Sequence, residues 1–369
     1  MPRFVRNDIL FMKNFWKKIN KPILALAPMA GFTDSAFRQI CCKFGADVVY
    51  SEMASVSGLY YSPPHQKKLL NKTGREKNFG VGASPNKTLE LLKFSKKERP
   101  YVVQLFGSNP KHFAKAAKIV TQKMKSDGID INLGCPVKKV MKTGAGCALM
   151  QNPKLAKEII KAVCDNTDLP VSLKIRTGTS AKVEPLNSKG STLEIKAIDF
   201  IKKIKDLPFQ AVMVHCRTYE QGFSGVPDYS IAEKIKKIIP DKIVLVNGGI
   251  NSAEDAIKVL NQCKNIDGLG IARGALGQPW IFEEIKKIIK NGKINKHAFK
   301  KIFLEHAKLI YKNKGQRGIK EFRAHIGWYI KGFPGASELR RKLIQAKTIN
   351  EIKKILKQPF CYVTTYYKN

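Results

Sequence analysis

Short apolar runs recur along this 369-residue chain, each separated from the next by a stretch of different period. They cover residues 23–29, 47–53, 101–107, 129–134, 171–177, 211–217, 243–248 and 269–274. They are rich in Val, Ile and Leu and too short for ordinary helices, so they predict eight strands. Between them, residues 34–44, 110–126, 153–166, 192–206, 229–239 and 252–262 repeat apolar positions every three or four residues and predict amphipathic helices. The second spacer is irregular: a polar Gly/Asn/Lys-rich passage over 62–86 precedes a short helix near 89–94. A last helix of this series covers 280–290.

Continuously apolar strands alternating with helices imply a parallel sheet covered on both faces. Eight such units predict an α/β fold, a (β/α)8 TIM barrel. A doubly wound open sheet is the alternative, but neither a G-x-G-x-x-G fingerprint nor a P-loop is present, and Gly268-Leu269-Gly270 has the wrong spacing to Gly274. From His297 the pattern changes, with no strand-like run before Tyr362. Helical spacing links Phe303, Ala307, Ile310 and Tyr311, then Ile319, Phe322, Ile326 and Ile330, then Leu339, Leu343 and Ile344. Gly332-Phe333-Pro334-Gly335 interrupts it. The expected organisation is an N-terminal extension over 1–20, a barrel over 21–296 and a small basic helical domain over 297–369.

Charge sharpens the last boundary. The chain carries a formal +38, and residues 297–369 hold 17 Lys and Arg against 4 acidic residues, a net +13 at roughly twice the density of the remainder. A lysine-rich bias spread over every helix does not explain that difference; a polyanionic partner does, either nucleic acid or an anionic membrane surface. None of the eight cysteines forms a C-x-x-C pair, and their spacing matches neither a zinc ribbon nor an iron–sulfur site, so no metal is expected. Cys41, Cys164 and Cys263 fall in helical stretches and read as buried apolar groups. The N-terminus lacks a signal-peptide layout, and no apolar run approaches the ~20 residues of a membrane span. The expectation is a reduced, cytoplasmic protein with free thiols, no membrane contact and no obligate protein partner.

Barrel active sites lie at the C-terminal ends of the strands. There the chain offers Pro28-Met29-Ala30-Gly31, Gln104, Asn132 and Cys135, Lys174 and Arg176, His215 and Arg217, Asn247-Gly248-Gly249, and Ala272-Arg273-Gly274. The rim collects cations, an imidazole, amides and a thiol, with no carboxylate pair. Glycines and an arginine after the seventh and eighth strands suit a phosphate, because bare backbone N–H groups approach the anion and Arg273 adds charge. Asn247-Gly248 is also an ordinary turn sequence. Lys174, between Leu173 and Ile175, either meets an anion or snorkels to the rim. His215 and Gln104 also read as satisfied core polar groups, and Cys135 as a structural thiol; convergence at one end favours function.

These residues resemble the tRNA-dihydrouridine synthases, most closely the B-type bacterial branch, in register through every barrel strand from about residue 20 to about 345. The segments that carry the resemblance are APMAGFTD (27–34), SEM (51–53), QLFG (104–107), KIRTG (174–178), HCRT (215–218), NGGI (247–250) and ARG (272–274). NLGCPVKKVMKTGAGCAL (132–149) and HIGWY (325–329) are the most specific. The branch usually has Arg-Lys-His where this chain has Arg323-Ala324-His325, and the spacers over 62–99 and 179–191 are longer than usual.

The resemblance implies a barrel with non-covalent FMN, reduced by NADPH (or NADH), that reduces D-loop uridines in tRNA. FMN contacts fall on Pro28, Met29, Ala30, Gln104, Lys174, His215, Asn247, Gly248, Gly249, Ala272 and Arg273, with Lys174 at one edge of the flavin ring. The proton donor falls on Cys135. Substrate contacts fall on Asn132 and Arg176 at the uracil edge and on Lys138, Lys139, Arg217, Arg323, His325, Trp328 and Tyr329.

The chemistry suits the thiol. Uracil's C5=C6 bond is conjugated to the C4 carbonyl, so hydride at C6 leaves negative charge at C5 and O4. An ordinary cysteine, with a pKa near ~8.5, is mostly protonated at neutral pH and can give C5 a proton; a nucleophilic role is the rival. Pro136 narrows the backbone of Cys135, Lys138 and Lys139 can meet RNA phosphates, and Gly144 and Gly146 can hinge the loop. A stacked uridine cannot reach a barrel mouth and must be flipped out. Two other readings remain: an FMN barrel acting on a free pyrimidine such as dihydroorotate, and a flavin-free RNA-binding protein.

Overall fold

The structure, a computed structural model, describes residues 14–61, 87–182, 192–294 and 297–358. All eight predicted runs form strands: β1 (Ile23–Leu26), β2 (Val48–Tyr50), β3 (Tyr101–Phe106), β4 (Gly128–Asn132), β5 (Val171–Arg176), β6 (Ala211–His215), β7 (Ile243–Asn247) and β8 (Gly268–Ile271). They pair in parallel in the order β2-β1-β8-β7-β6-β5-β4-β3, and β2 pairs with β3 to close the barrel. The second run is interrupted after Tyr50 and resumes as Ala54–Ser55 beside β3.

Alternation decides what each face does. Outward residues such as Leu24, Val49, Val103, Ile131, Leu173, Val212, Val244 and Leu269 are fully buried beneath the surrounding helices. These include α1 (Ser35–Lys43), α2 (Pro110–Ile119), α3 (Pro153–Cys164), α4 (Ala197–Ile204), α5 (Ser230–Ile238), α6 (Ala253–Gln262) and α7 (Ile281–Ile289). Inward residues in the lower barrel are apolar: Ile23, Ala25, Val48, Tyr50, Val102, Met213 and Leu245 pack with Trp16, carried by the short helix Phe15–Lys17. Inward residues above them are polar, and the site is built there. Of the expected N-terminal extension, residues 1–13 lie outside the described residues, as do 62–86 of the second spacer.

Two helix boundaries differ from the sequence reading. Residues 192–206 do not form one helix: Thr192–Lys196 pairs antiparallel with Gly178–Lys182, and helix begins only at Ala197. The Thr-Leu-Glu-Ile-Lys alternation serves a two-stranded ribbon as well as it serves a helical face. The stretch over 110–126 is helical to Ile119, continues as a wider turn over Val120–Met124, and ends at Lys125, where φ is 54°.

After the barrel come α8 (Phe299–Tyr329), bent at Gly315, then α9 (Ala336–Gln345) and α10 (Ile349–Lys357). Phe303, Ala307, Ile310, Ile319, Phe322, Ile326, Ile330, Leu339 and Leu343 are buried together, as the spacing predicts, and Ala36 and Ile40 of α1 and Trp280 share their core. Tyr311 and Ile344 lie one residue further round the helix and are 42% and 41% exposed. Asp34, the N-cap of α1, also accepts from Lys314 Nζ (2.8 Å), tying α8 to the loop after β1. Among the described residues no helix is long and apolar enough to cross a membrane.

Candidate active site

A cavity of about 360 Å³ opens at the C-terminal end of the barrel. Every residue expected at the flavin lines it: Pro28, Met29, Ala30, Gln104, Lys174, His215, Asn247, Gly248, Gly249, Ala272 and Arg273. Asn132, Cys135, Arg176, Arg217 and Trp328 line it too. Lys138 and Lys139 are exposed on the short helix Lys138–Met141 that follows the Cys135 turn. Arg323 is half-buried and is not part of the cavity wall.

Strand register explains this convergence. Asn132 pairs with Lys174, Arg176 with His215, and His215 with Asn247, so these inward side chains stand at neighbouring levels of the ring. Lys174 Nζ donates to Asn247 Oδ1 (3.2 Å), and Asn247 Nδ2 donates to Gly270 O (2.6 Å). Burial, with Arg176 alongside, lowers Lys174 to about 8 against the pull of Asp130. Burial and the surrounding cations push His215 down to about 2, so its imidazole is neutral at physiological pH.

The donor set fits an anionic, planar cofactor. Lys174, Arg217 and Arg273 donate to the neutral oxygens of Asn247, Gly225 and Phe223, and among the described residues none has a carboxylate within ion-pairing distance. Gly248 has a φ of +107°, and a Cβ there would stand 2.7 Å from His215 Cδ2, so the backbone approaches the imidazole as only glycine permits. Were such a group bound, Lys174, Asn247 and Gln104 would face its ring system, and Arg217 and Arg273 with the glycine turn would suit its phosphate. The volume lies within the range of small-molecule sites.

The Cys135 turn is held from three sides. Asn132 Oδ1 accepts from Cys135 N (2.9 Å) and Gly134 N (3.2 Å). Cys135 O accepts from Cys147 N (3.1 Å), and a Cβ at Gly146 would meet Cys135 O at 2.6 Å, so this glycine is what lets the two backbones touch. Arg176 Nε donates to Gly134 O (3.0 Å), while its Nη1 donates to Thr218 O (2.8 Å) and Gly222 O (3.0 Å). Asn132 and Arg176, expected to read the uracil edge, are therefore largely occupied in bracing the turn. Neighbouring Cys147 is buried, with its thiol pushed up to about 12 by that burial.

Two cavity features escaped the sequence reading. Phe223 is 57% exposed on the rim, with the guanidinium carbons of Arg273 and Arg176 5.0 and 5.6 Å from its ring centre; nothing in its sequence neighbourhood marks it. Beneath the cavity, Asp130 is fully buried, accepting from Gln104 Nε2 (2.7 Å) and Ser172 Oγ (2.7 Å). Burial raises it to about 7, against those hydrogen bonds and Lys174. Its signal was available: a carboxylate between Ile129 and Ile131 on a strand whose alternate positions face inward.

The aromatic end of α8 corrects two expectations. His325 and Tyr329 are each 1% exposed. His325 packs against Phe32, Phe37 and His306, and burial lowers it to about 4, so it is neutral and turned away from solvent. Tyr329 packs against Phe299 and Phe303, its hydroxyl 3.2 Å from His306 Nδ1. Both are buried side chains rather than exposed contacts. Trp328, between them in sequence, is the one that reaches the cavity.

Comparison with known proteins agrees with this architecture. A family model described as dihydrouridine synthase (Dus) matches residues 25–363. The chain is 35% identical over 312 residues to tRNA-dihydrouridine synthase B of Shewanella oneidensis, covering 83% of this chain and 86% of that one. It is 36% identical over 322 residues to the synthase B of Pseudomonas aeruginosa, covering 86% of each. It is 31% identical over 338 residues to a probable tRNA-dihydrouridine synthase 1 of Synechocystis sp., covering 90% and 84%. Among solved structures, a histamine dehydrogenase from Rhizobium sp. 4-9 superposes with a TM-score of 0.51 at 12% identity, over 82% of this chain and 51% of that one, a likeness of fold alone. With the match running through every barrel strand and into the C-terminal helices, the chain belongs to the dihydrouridine synthase family and is a flavin-dependent oxidoreductase.

Proposed function

We propose that this protein reduces the C5=C6 bond of D-loop uridines in tRNA, using FMN and NADPH (or NADH), with Cys135 as the proton donor. The observation that carries the reading is that Cys135 and the cationic, glycine-lined flavin seat share one cavity. When bound, the flavin supplies a hydride to C6 of the uracil. The chain's own residues do the rest. Asn132, Gly146 and Arg176 fix the turn that presents the thiol, and Cys135 gives its proton to C5. Lys174, Arg217 and Arg273 offset negative charge. Val137, Phe223 and Trp328 give the cavity an apolar and aromatic rim, which suits a planar base flipped out of its stack. Lys138 and Lys139 meet backbone phosphates next to that base. In this reading residues 21–296 form the flavin-binding unit, 297–369 bind tRNA and 1–20 are an extension, in a cytoplasmic enzyme.

Half-reactions test it. Cys135→Ala should retain flavin, accept electrons from NADPH normally and bind tRNA. Its reduced form should be reoxidised by unmodified tRNA about 10²–10⁴-fold more slowly, the usual contribution of a general acid. Cys135→Ser keeps the shape with a weaker acid and should also be slow. Wild-type reoxidation rates in both variants would mean that the proton comes from elsewhere. Equal reoxidation of the native enzyme by free uridine and by tRNA would favour a free-pyrimidine reductase instead.

A further inference from the structure

The carboxylate beneath the cavity is the start of a hydrogen-bond chain that ends on the backbone of Cys135. Asp130 Oδ2 accepts from Gln104 Nε2 (2.7 Å). Gln104 Oε1 accepts from Asn132 Nδ2 (2.9 Å). Asn132 Oδ1 accepts from the N–H groups of Cys135 (2.9 Å) and Gly134 (3.2 Å). The two amides between the ends have no orientation of their own, since a carboxamide presents an acceptor and a donor of nearly equal shape.

The ends set their direction, for the one other partner recorded, Met53 Sδ at 3.8 Å from Asn132 Nδ2, is a weak acceptor. The Cys135 N–H is a donor and needs Asn132's oxygen; Asp130 is an acceptor and needs Gln104's nitrogen. If Gln104 turned over, its oxygen would face Asp130 and its nitrogen would face Asn132 Nδ2. Two attractive contacts would become two repulsive ones in a buried setting, where mismatched polar groups cost most. The other groups facing Asp130 are Ser172, Tyr50 and Lys174. Ser172's hydroxyl can donate to Oδ1 or accept from it, so Oδ2 remains the acceptor for Gln104 whether or not Asp130 carries a proton.

We propose that Asp130 is a positioning residue for the reaction: through Gln104 and Asn132 it fixes the amide polarity that holds the Cys135 turn and so places the thiol against the substrate. The structural part stands on geometry alone; the kinetic part rests on the reading of Cys135 as proton donor.

The test measures amide exchange in the flavin-loaded protein, over peptides spanning residues 133–140, together with tRNA-driven reoxidation. Asp130→Leu removes the acceptor and should raise exchange at the Cys135 turn roughly tenfold, about one hydrogen bond's worth, and slow reoxidation by a similar factor. Asp130→Asn can still offer its oxygen to Gln104 and its nitrogen to Ser172, so it should return both readouts to near the native values. A general packing role would instead spread the change evenly over β4 and β5.

Should Asp130→Leu not fold, a polarity swap decides. Asn132→Asp puts an oxygen where the amide nitrogen stood, against Gln104 Oε1, and should loosen the turn. Adding Asp130→Asn lets Gln104 turn over, donating to the new carboxylate at position 132 and accepting from the new carboxamide at position 130, and should restore it. Native exchange in Asp130→Leu, or no recovery in the double variant, overturns the proposal. Altered exchange with unaltered reoxidation would reduce Asp130 to a structural support of the turn and overturn its part in the reaction, whereas failure of the proton-donor reading would show separately, as native reoxidation in the Cys135→Ala and Cys135→Ser variants.

Discussion

Arg176 offers the sharpest distinction between a residue that reads the substrate and one that builds the site. Its guanidinium ties Gly134 O, in the Cys135 turn, to Thr218 O and Gly222 O in the loop after β6. Hydrogen bonds from a charged donor contribute roughly 1.5–3 kcal/mol each. Water entering from the cavity would replace part of what truncation removes, so Arg176→Ala should cost about 3–5 kcal/mol rather than the full sum. Arg176→Lys keeps the charge, but one ammonium cannot reach all three carbonyls at those angles, so about half of that loss should remain. Denaturant unfolding followed by tryptophan fluorescence measures the cost. The rate at which iodoacetamide alkylates Cys135 reports the turn separately, against the buried thiols of Cys147 and Cys216 as slow internal standards. The expected outcome is a lower unfolding midpoint and altered Cys135 alkylation in both variants, graded Ala beyond Lys. If Arg176→Ala unfolds and alkylates like the native protein yet fails to reduce tRNA, the brace is wrong and the guanidinium contacts the uracil.

Three further outcomes concern the same site. Arg273→Ala removes an exposed cation at the phosphate seat and should weaken flavin retention roughly ten- to hundredfold, read by flavin absorbance after dialysis; full retention would move the phosphate elsewhere. Lys174 sits at about 8, below the ordinary 10.5, so the unfolded chain binds the extra proton between those values. In the flavin-free protein that contribution to stability should therefore rise with pH through this window and be lost as pH falls through about 8, and Lys174→Met should lack the rise in unfolding midpoint. tRNA affinity should fall steeply with salt, and replacing both Lys138 and Lys139 by Gln should flatten the log–log slope by about 1–2 units in filter binding; an unchanged slope would exclude them from phosphate contact.

The barrel was legible because its strands are buried on both faces and so read as unbroken apolar runs, which no solvent-facing helix imitates. The ribbon strand Thr192–Lys196 was not, because five alternating residues leading into a true helix carry no period long enough to separate the two. Strand parity placed Gln104, Asn132, Lys174, Arg176, His215 and Asn247 inside the mouth. It could not say which would be spent on one another, since that depends on register between strands distant in sequence. The family resemblance puts Asn132 and Arg176 at the uracil edge, and only the assembled register adds that both also brace the Cys135 turn. His325 and Tyr329 are a different case. Phe322 and Ile326 had already marked the buried face of α8, and positions three and four residues on share that face. The spacing held the answer, while the family signature drew attention to residue type.

That face also bears on how separable the two parts of the chain are. Trp328 lines the cavity, while its neighbour Tyr329 lies in the core that Ala36 and Ile40 of α1 complete. Lys314 of the same helix reaches back to the N-cap of α1, just after the Pro28–Ala30 segment that lines the cavity. Removing residues 297–369 would thus do more than lower a positive charge. It would uncover apolar surface on α1, release Asp34 from its partner and take away one wall of the cavity. A truncated barrel that lost tRNA binding would not by itself assign that binding to the helices. Charge changes at exposed lysines leave the shared core intact, and they alone separate attraction of the RNA from construction of the pocket that receives its base.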